Sequence, residues 1–150
     1  MKQFKFTRSL VFLVLVALSP VTTADMYPQV LLDQIAYAKK VTPVVSLEQF
    51  NAAINDPATW IIDVREPGEY SDGHVRNAIN IPRGLIEFMI WDKVGYPDKT
   101  NMDQKMYLYC KSGARCALAT KTLRDLGFTE VYRSDLNIKK WVESGNALVK

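Results

Sequence analysis

Short apolar runs that alternate with amphipathic stretches constrain this chain's fold more than any other feature. Trp60 to Val64, Ala78 to Ile81, Met106 to Tyr109 and Val131-Tyr132 read as strands. Around them lie helical patterns. Pro28 to Lys39 places Val30, Leu31, Ile35 and Ala38 at helical spacing, with Pro28 in the first turn and a break at Thr42-Pro43. Ser46-Leu47-Glu48-Gln49 is a capping box opening a short helix through Ile54. Pro67 starts a helical turn, Gly84 to Trp91 reads as a helix, and residues 92–104 as a loop. Ala114 to Leu126 is a helix ended by Gly127, and Leu136 to Ser144 is one ended by Gly145, with Asp135 as its N-cap. Such alternation predicts an α/β fold with a mostly parallel central sheet and helices on both faces. A chain of 150 residues suits one such core.

The first 24 residues stand apart. Lys2, Lys5 and Arg8 precede an unbroken apolar run from Leu10 to Leu18, and Ser19-Pro20 separates that run from the small residues Thr22, Thr23 and Ala24. This is the layout of a secretory signal, with cleavage expected near Ala24 and a periplasmic or secreted mature protein. Nine residues rising ~1.5 Å each cannot cross a ~30 Å hydrocarbon layer, so no stable membrane anchor is expected. With those three cations set aside from the 19 basic residues, 16 basic face 16 acidic residues, a balance that predicts no nucleic-acid footprint. Residues 25–42 read as an N-terminal helical extension, and residues 43–150 as the main domain.

In parallel α/β folds the functional edge lies at the carboxyl ends of the strands. Read past each strand, that edge collects Asp63-Val64-Arg65-Glu66, Pro82-Arg83, Cys110-Lys111-Ser112-Gly113-Ala114-Arg115 and Arg133-Ser134-Asp135. The cysteine segment joins a strand to a helix. A loop that wraps into a helix start points several backbone N–H groups at one spot, and Gly113 admits the positive φ such a nest requires. With Lys111 and Arg115 nearby, that spot favours a Cys110 thiolate, which makes a nucleophile without a histidine. The single histidine, His74, sits in a turn and is expected to be structural. The composition supplies no partners for a Cys/His protease or a metal site, so no metal and no cofactor are expected.

These residues resemble the rhodanese-like sulfurtransferases over roughly residues 43–150. The resemblance rests on Ile62-Asp63-Val64-Arg65 with Glu69-Tyr70, Gly73-His74-Val75 and Ala78 to Pro82, on Tyr109 to Arg115, and on Leu126-Gly127-Phe128, Val131 and Trp141. It implies the rhodanese-like three-layer fold. It also implies a Cys110 persulfide, formed when the thiolate takes the outer sulfur of an anionic donor such as thiosulfate and passed to cyanide, a thiol or a protein acceptor. Lys111, Ser112, Gly113, Ala114 and Arg115 would then bind the donor. Phosphatases and arsenate reductases of this fold resemble the wider pattern Cys-x5-Arg, one residue longer than Cys110 to Arg115. A rhodanese-like module that only carries sulfur or binds a partner is the alternative.

Several expectations are open to structural test. Arg115 either binds the donor or braces the loop through Asp63, and is expected to matter more than Lys111 for an anionic donor. Asp63 and Arg65 are expected to support the loop. Cys110 is read as an exposed loop thiol. Cys116, Ala119, Leu123 and Leu126 recur at helical spacing, so Cys116 is expected to be a buried structural thiol directed away from Cys110. Asn77 and the pair Leu136-Asn137 stand where the family usually has glycine, and asparagine tolerates the left-handed conformation. Leu85 to Val94 is expected to form core and pocket wall.

Overall fold

The computed structural model describes residues 27–150, so the signal-like segment with Lys2, Lys5, Arg8, the Leu10–Leu18 run and the Ala24 junction lies outside the described residues. Along the chain run α1 (Gln29–Val41), β1 (Val44–Val45), α2 (Leu47–Ala53), β2 (Thr59–Asp63), α3 (Pro67–Asp72), β3 (Ile79–Asn80), a 3-10 turn (Arg83–Leu85), α4 (Ile86–Lys93), β4 (Lys105–Cys110), α5 (Ala114–Asp125), β5 (Val131–Asn137) and α6 (Ile138–Glu143). The strands form one parallel sheet in the order β1-β5-β4-β2-β3.

Strand alternation divides the core in two. Met106, Leu108 and Cys110 of β4 face one side, where they pack with Ile62, Ile86 and Ile90 and with Cys116, Ala119 and Leu123 of α5. Tyr107 and Tyr109 face the other side with Ile61, Phe50 of α2 and Trp141 of α6. The Phe50 ring meets Tyr109 and Trp141 edge-on, with centroids 5.8 and 6.0 Å apart. Both faces of the sheet are therefore covered, as the alternation predicts. Helix α1 lies alongside α5 with Ala38 fully buried, and its end is tied down by Thr42, whose hydroxyl donates to the Ala38 carbonyl at 2.6 Å.

Local departures from the sequence reading have physical causes. Pro28 is the N-cap of α1, with φ −62° and ψ 145°, not a residue of its first turn. Strand β5 runs on through Arg133, Ser134 and Asp135, although these polar residues mask it. It can do so because the buried Arg133 guanidinium pairs with Asp135 and donates to the Lys39 carbonyl at 3.2 Å. Asp135 is thus no helix cap. Asn137 takes that role for α6, its side-chain oxygen accepting from the Lys139 and Lys140 backbone N–H at 2.9 and 3.4 Å. Asn137 is extended at φ −110° and Leu136 is buried in the strand, so neither reproduces a left-handed glycine. Asn77 does, at φ 63°. Along α4 and its C-cap the wall is one-sided: Ile86, Ile90 and the capping Val94 are buried, whereas Phe88 is 75% exposed. His74 is structural. Its ring stacks on Tyr70 with centroids 3.7 Å apart, and its backbone bridges to Val149.

Candidate active site

Strand order locates the site. From β2 the chain moves through α3 to β3 on one side, and from β4 it moves through α5 to β5 on the other. The loops after two adjacent strands therefore diverge, which opens a crevice at their carboxyl ends. Asp63 ends β2 and Cys110 ends β4, and the register pairs Asp63 with Tyr109.

Cys110 is not an exposed thiol: only 1% of the residue is accessible. Its place as the last residue of β4, with the side chain on the α5 face, draws the sulfur under the loop. There Sγ accepts from the backbone N–H of Gly113 at 3.1 Å and of Cys116 at 3.4 Å. Gly113 is the N-cap of α5 at φ 86°, a left-handed conformation that turns its N–H inward. The Cys110 thiol is lowered from 9.0 to about 6. The largest cause is a hydrogen bond from the Cys116 thiol. Burial opposes it, and the backbone N–H groups of Cys116, Ser112 and Gly113 reinforce it.

Cys116 is fully buried on the apolar face of α5, as its spacing predicts, in the same apolar cluster as Cys110. Its thiol also approaches the Gly113 carbonyl at 3.3 Å and the Ser134 carbonyl at 3.6 Å. The hydrogen bond to Cys110, together with burial and the Cys110 charge, pushes the Cys116 thiol well above its ordinary value.

The cations are paired differently from expectation. Arg115 does not meet Asp63. Its Nη1 and Nη2 donate to the two Glu69 carboxylate oxygens at 2.5 and 2.9 Å, a bidentate pair about one-third exposed on each side. Arg115 holds the Glu69 carboxyl down at about 2, and Glu69 in turn raises the guanidinium. Asp63 belongs to Arg65 instead. Fully buried, it accepts from the Arg65 backbone N–H at 2.9 Å and from Nη2 at 2.6 Å, while the same Nη2 donates to the Gly73 carbonyl at 2.8 Å. The local cause is chain spacing: Arg65 follows the end of β2 by two residues, whereas Arg115 points from the first turn of α5 toward α3.

Lys111 and Ser112 are exposed at the mouth, and Ala114 is half-buried where α5 begins. Lys111 lies between two cavities. One of about 260 Å³ includes Arg65, Glu69 and Asp72, and one of about 510 Å³ includes Ser112, Ile138 and Lys139. A groove of about 520 Å³ beside β1, between α2 and α6, contains neither cysteine. Spacing alone left two participants unassigned, Glu69 and the Cys116 thiol. Glu69 forms a capping box with Glu66 at the start of α3, a local pattern that would have pointed to it as part of this helix start.

The Rhodanese-like domain family model matches residues 46–144, a span that includes this buried, N–H-cradled cysteine. The chain belongs to the rhodanese-like domain family. It is 32% identical over 105 residues to the uncharacterized protein YqhL of Bacillus subtilis, covering 70% of this chain and 76% of that one. It is 30% identical over 100 residues to the putative sulfur carrier protein YrkF of the same organism, covering 66% of this chain and 50% of that one. Matching relatives also include tRNA uridine(34) hydroxylases, of whose length this rhodanese-like chain spans 35% and 33%. Among solved structures, the polysulfide-sulfur transferase homodimer of Wolinella succinogenes is similar at 29% identity and a TM-score of 0.64, covering 81% of this chain and 88% of that chain.

Proposed function

We propose that this rhodanese-like domain is a sulfurtransferase that moves a sulfane sulfur from an anionic donor such as thiosulfate to a cyanide or thiol acceptor through a Cys110 persulfide. The Cys110 thiolate attacks the outer sulfur of the donor. A sulfur–sulfur bond forms at Sγ, the donor's sulfur–sulfur bond breaks, and sulfite leaves with its electron pair. The acceptor then takes the outer sulfur and returns the thiolate. The observation that carries this reading is the Cys110 sulfur itself, buried under Gly113 and Cys116 N–H donors and ionised above about pH 6. Fixed donors that stabilise a thiolate also stabilise the charge of a persulfide without reorganising.

In this reading Lys111 and Arg115 attract the donor, the Ser112, Gly113 and Ala114 backbone forms the cradle, and Asp63 with Arg65 holds the adjacent loop. No cofactor is required. The loop is a residue shorter than the phosphatase pattern, and its N–H groups close on one sulfur atom. The N-terminal segment supports activity outside the cytoplasm, with residues 25–42 as an extension of the domain at 43–150.

A sulfur-carrier role is the second reading. It is favoured by the patch of Leu85, Phe88 and Met89, exposed by 50%, 75% and 37%, and by the relative named as a putative carrier. Thiocyanate formation from thiosulfate and cyanide tests the enzyme reading. Multiple turnovers that vanish in Cys110→Ser support it. Stoichiometric loading without turnover assigns the carrier role.

A further inference from the structure

The cradle is built from the loop after β4, but a helix from outside the matched domain reaches it. Helix α1 ends before residue 46, where the family model begins, and packs alongside α5. Its last turn is held in place. Ala38 is fully buried, and the Thr42 hydroxyl donates to the Ala38 carbonyl at 2.6 Å. The buried Arg133 of β5 donates from Nη2 to the Lys39 carbonyl at 3.2 Å and from its backbone N–H to the Pro43 carbonyl at 3.0 Å. From that fixed backbone the Lys39 side chain reaches the loop: a β-carbon at Gly113 would stand 3.9 Å from Lys39 Nζ and 4.0 Å from its Cε. Gly113 is the residue whose N–H donates to Cys110 Sγ at 3.1 Å. The ammonium is therefore no more than about 10 Å from that sulfur, roughly one screening length at about 0.1 M salt. The start of the same segment borders the mouth. Tyr27, next to the N-cap Pro28, lines the cavity of about 510 Å³ together with Lys111 and Ser112.

Charge pairing decides which cations are left to act on a donor. Arg65 is taken by Asp63, Arg115 by Glu69 and Arg133 by Asp135, and Lys139 lies 3.7 Å from Glu143. Lys111 and Lys39 make no salt bridge among the described residues. Resting on the persulfide reading above, we propose that Lys39 is a donor-specificity residue, an ammonium supplied by the N-terminal extension that draws an anionic sulfur donor to the Cys110 mouth in preference to a neutral one. It makes and breaks no bond. The attraction acts on the bound donor and on the transition state alike, so it lowers the donor KM and leaves kcat unchanged. A lysine in the last turn of a helix also offsets the negative end of the helix dipole. Lys40 occupies the same last turn but projects about 100° around the helix from Lys39, which separates the two roles.

The test uses the full chain, reduced, at a pH where Cys110 is ionised in every variant. Cys110 is alkylated with iodoacetate, an anion, and with iodoacetamide, its neutral counterpart, and the ratio of the two rates is compared. That ratio cancels the thiolate fraction and needs no sulfur transfer. Lys39→Ala is expected to lower it about two- to fivefold, and Lys39→Glu further, as one charge at this range implies. Lys39→Arg is expected to restore it, and Lys40→Ala to leave it unchanged. The differences should fade in about 1 M salt, where screening acts within about 3 Å. In thiosulfate turnover, Lys39→Ala should raise the KM about three- to tenfold, because the donor carries two charges, with kcat within about twofold of wild type. The Lys39 side chain is exposed, so urea unfolding should show an intact fold. A ratio that falls no further in Lys39→Ala than in Lys40→Ala, or a turnover defect confined to kcat, overturns the inference and leaves the transfer reading standing. Absence of a persulfide in every chain, wild type included, overturns the transfer reading, and the donor role of Lys39 with it.

Discussion

Replacing Cys116 by alanine is expected to raise the Cys110 pKa, because the Cys116 thiol donates to the Cys110 thiolate. A thiol brought from 9.0 to about 6 favours its ionised form by about 4 kcal/mol, at about 1.36 kcal/mol per pH unit. A hydrogen bond to a charged group contributes about 1.5–3 kcal/mol. Losing the Cys116 S–H therefore moves the midpoint up by about one to two pH units, while the backbone N–H groups of Cys116, Ser112 and Gly113 remain. Cys116→Ser keeps a donor in place and is expected to stay within about half a unit of wild type. The assay is the alkylation rate of Cys110 as a function of pH, checked by the ultraviolet absorbance of the thiolate. Stability supplies a second readout. Because folding lowers this pKa, the unfolded chain holds the extra proton between about 6 and 9.0. The thiolate contribution is complete above 9.0 and is lost as pH falls through about 6, so unfolding free energy should rise with pH in that window, and less steeply in Cys116→Ala. A midpoint unmoved by alanine, or moved as far by serine as by alanine, refutes the reasoning.

Asp63→Ala leaves the buried Arg65 charge without its carboxylate, with only the Gly73 carbonyl as partner, and should cost about 3–5 kcal/mol in urea unfolding. Arg115→Ala removes a pair that is about one-third exposed, so its stability cost should be about 1 kcal/mol or less by the same measurement. Lys111→Ala should raise the thiosulfate KM at least as much as Arg115→Ala, because Glu69 already neutralises Arg115, which reverses the order that guanidinium chemistry alone suggests. Gly113→Ala should cost about 1–2 kcal/mol through its left-handed φ of 86° and slow Cys110 alkylation near neutral pH, whereas its side chain meets nothing closer than Lys39 Nζ at 3.9 Å.

What could be read from the sequence follows the range of the interactions involved. Met106 to Tyr109 and the Cys116, Ala119, Leu123 stripe locate β4 and α5 because strand and helix periods are local, and the junction between them is the cradle. Ser46 and Gln49 likewise announce α2 through a contact three residues apart. Pairings across the fold were not legible in the same way. Asp63, Glu69, Asp72 and Asp135 all lie near the carboxyl edge, and which of them takes Arg115 depends on where α3 packs, a matter of contacts 46 residues apart. The Arg133 to Asp135 stretch hides a strand because its burial is made affordable by partners in α1 and in the strand itself. Cys116 shows the limit most directly. Periodicity places it toward the core, but the depth at which β4 ends decides that the core at that point contains the Cys110 sulfur.

The central claim is that Cys110, and no other group, accepts a sulfane sulfur. The most direct test is intact-mass measurement of the reduced chain immediately after thiosulfate treatment, followed by peptide mapping of the added sulfur, in wild type and Cys110→Ser. The account predicts one added sulfur atom per wild-type chain, located on Cys110, and none on the serine variant. An unmodified wild type, or an added sulfur found on Cys116 with Cys110 untouched, would contradict it.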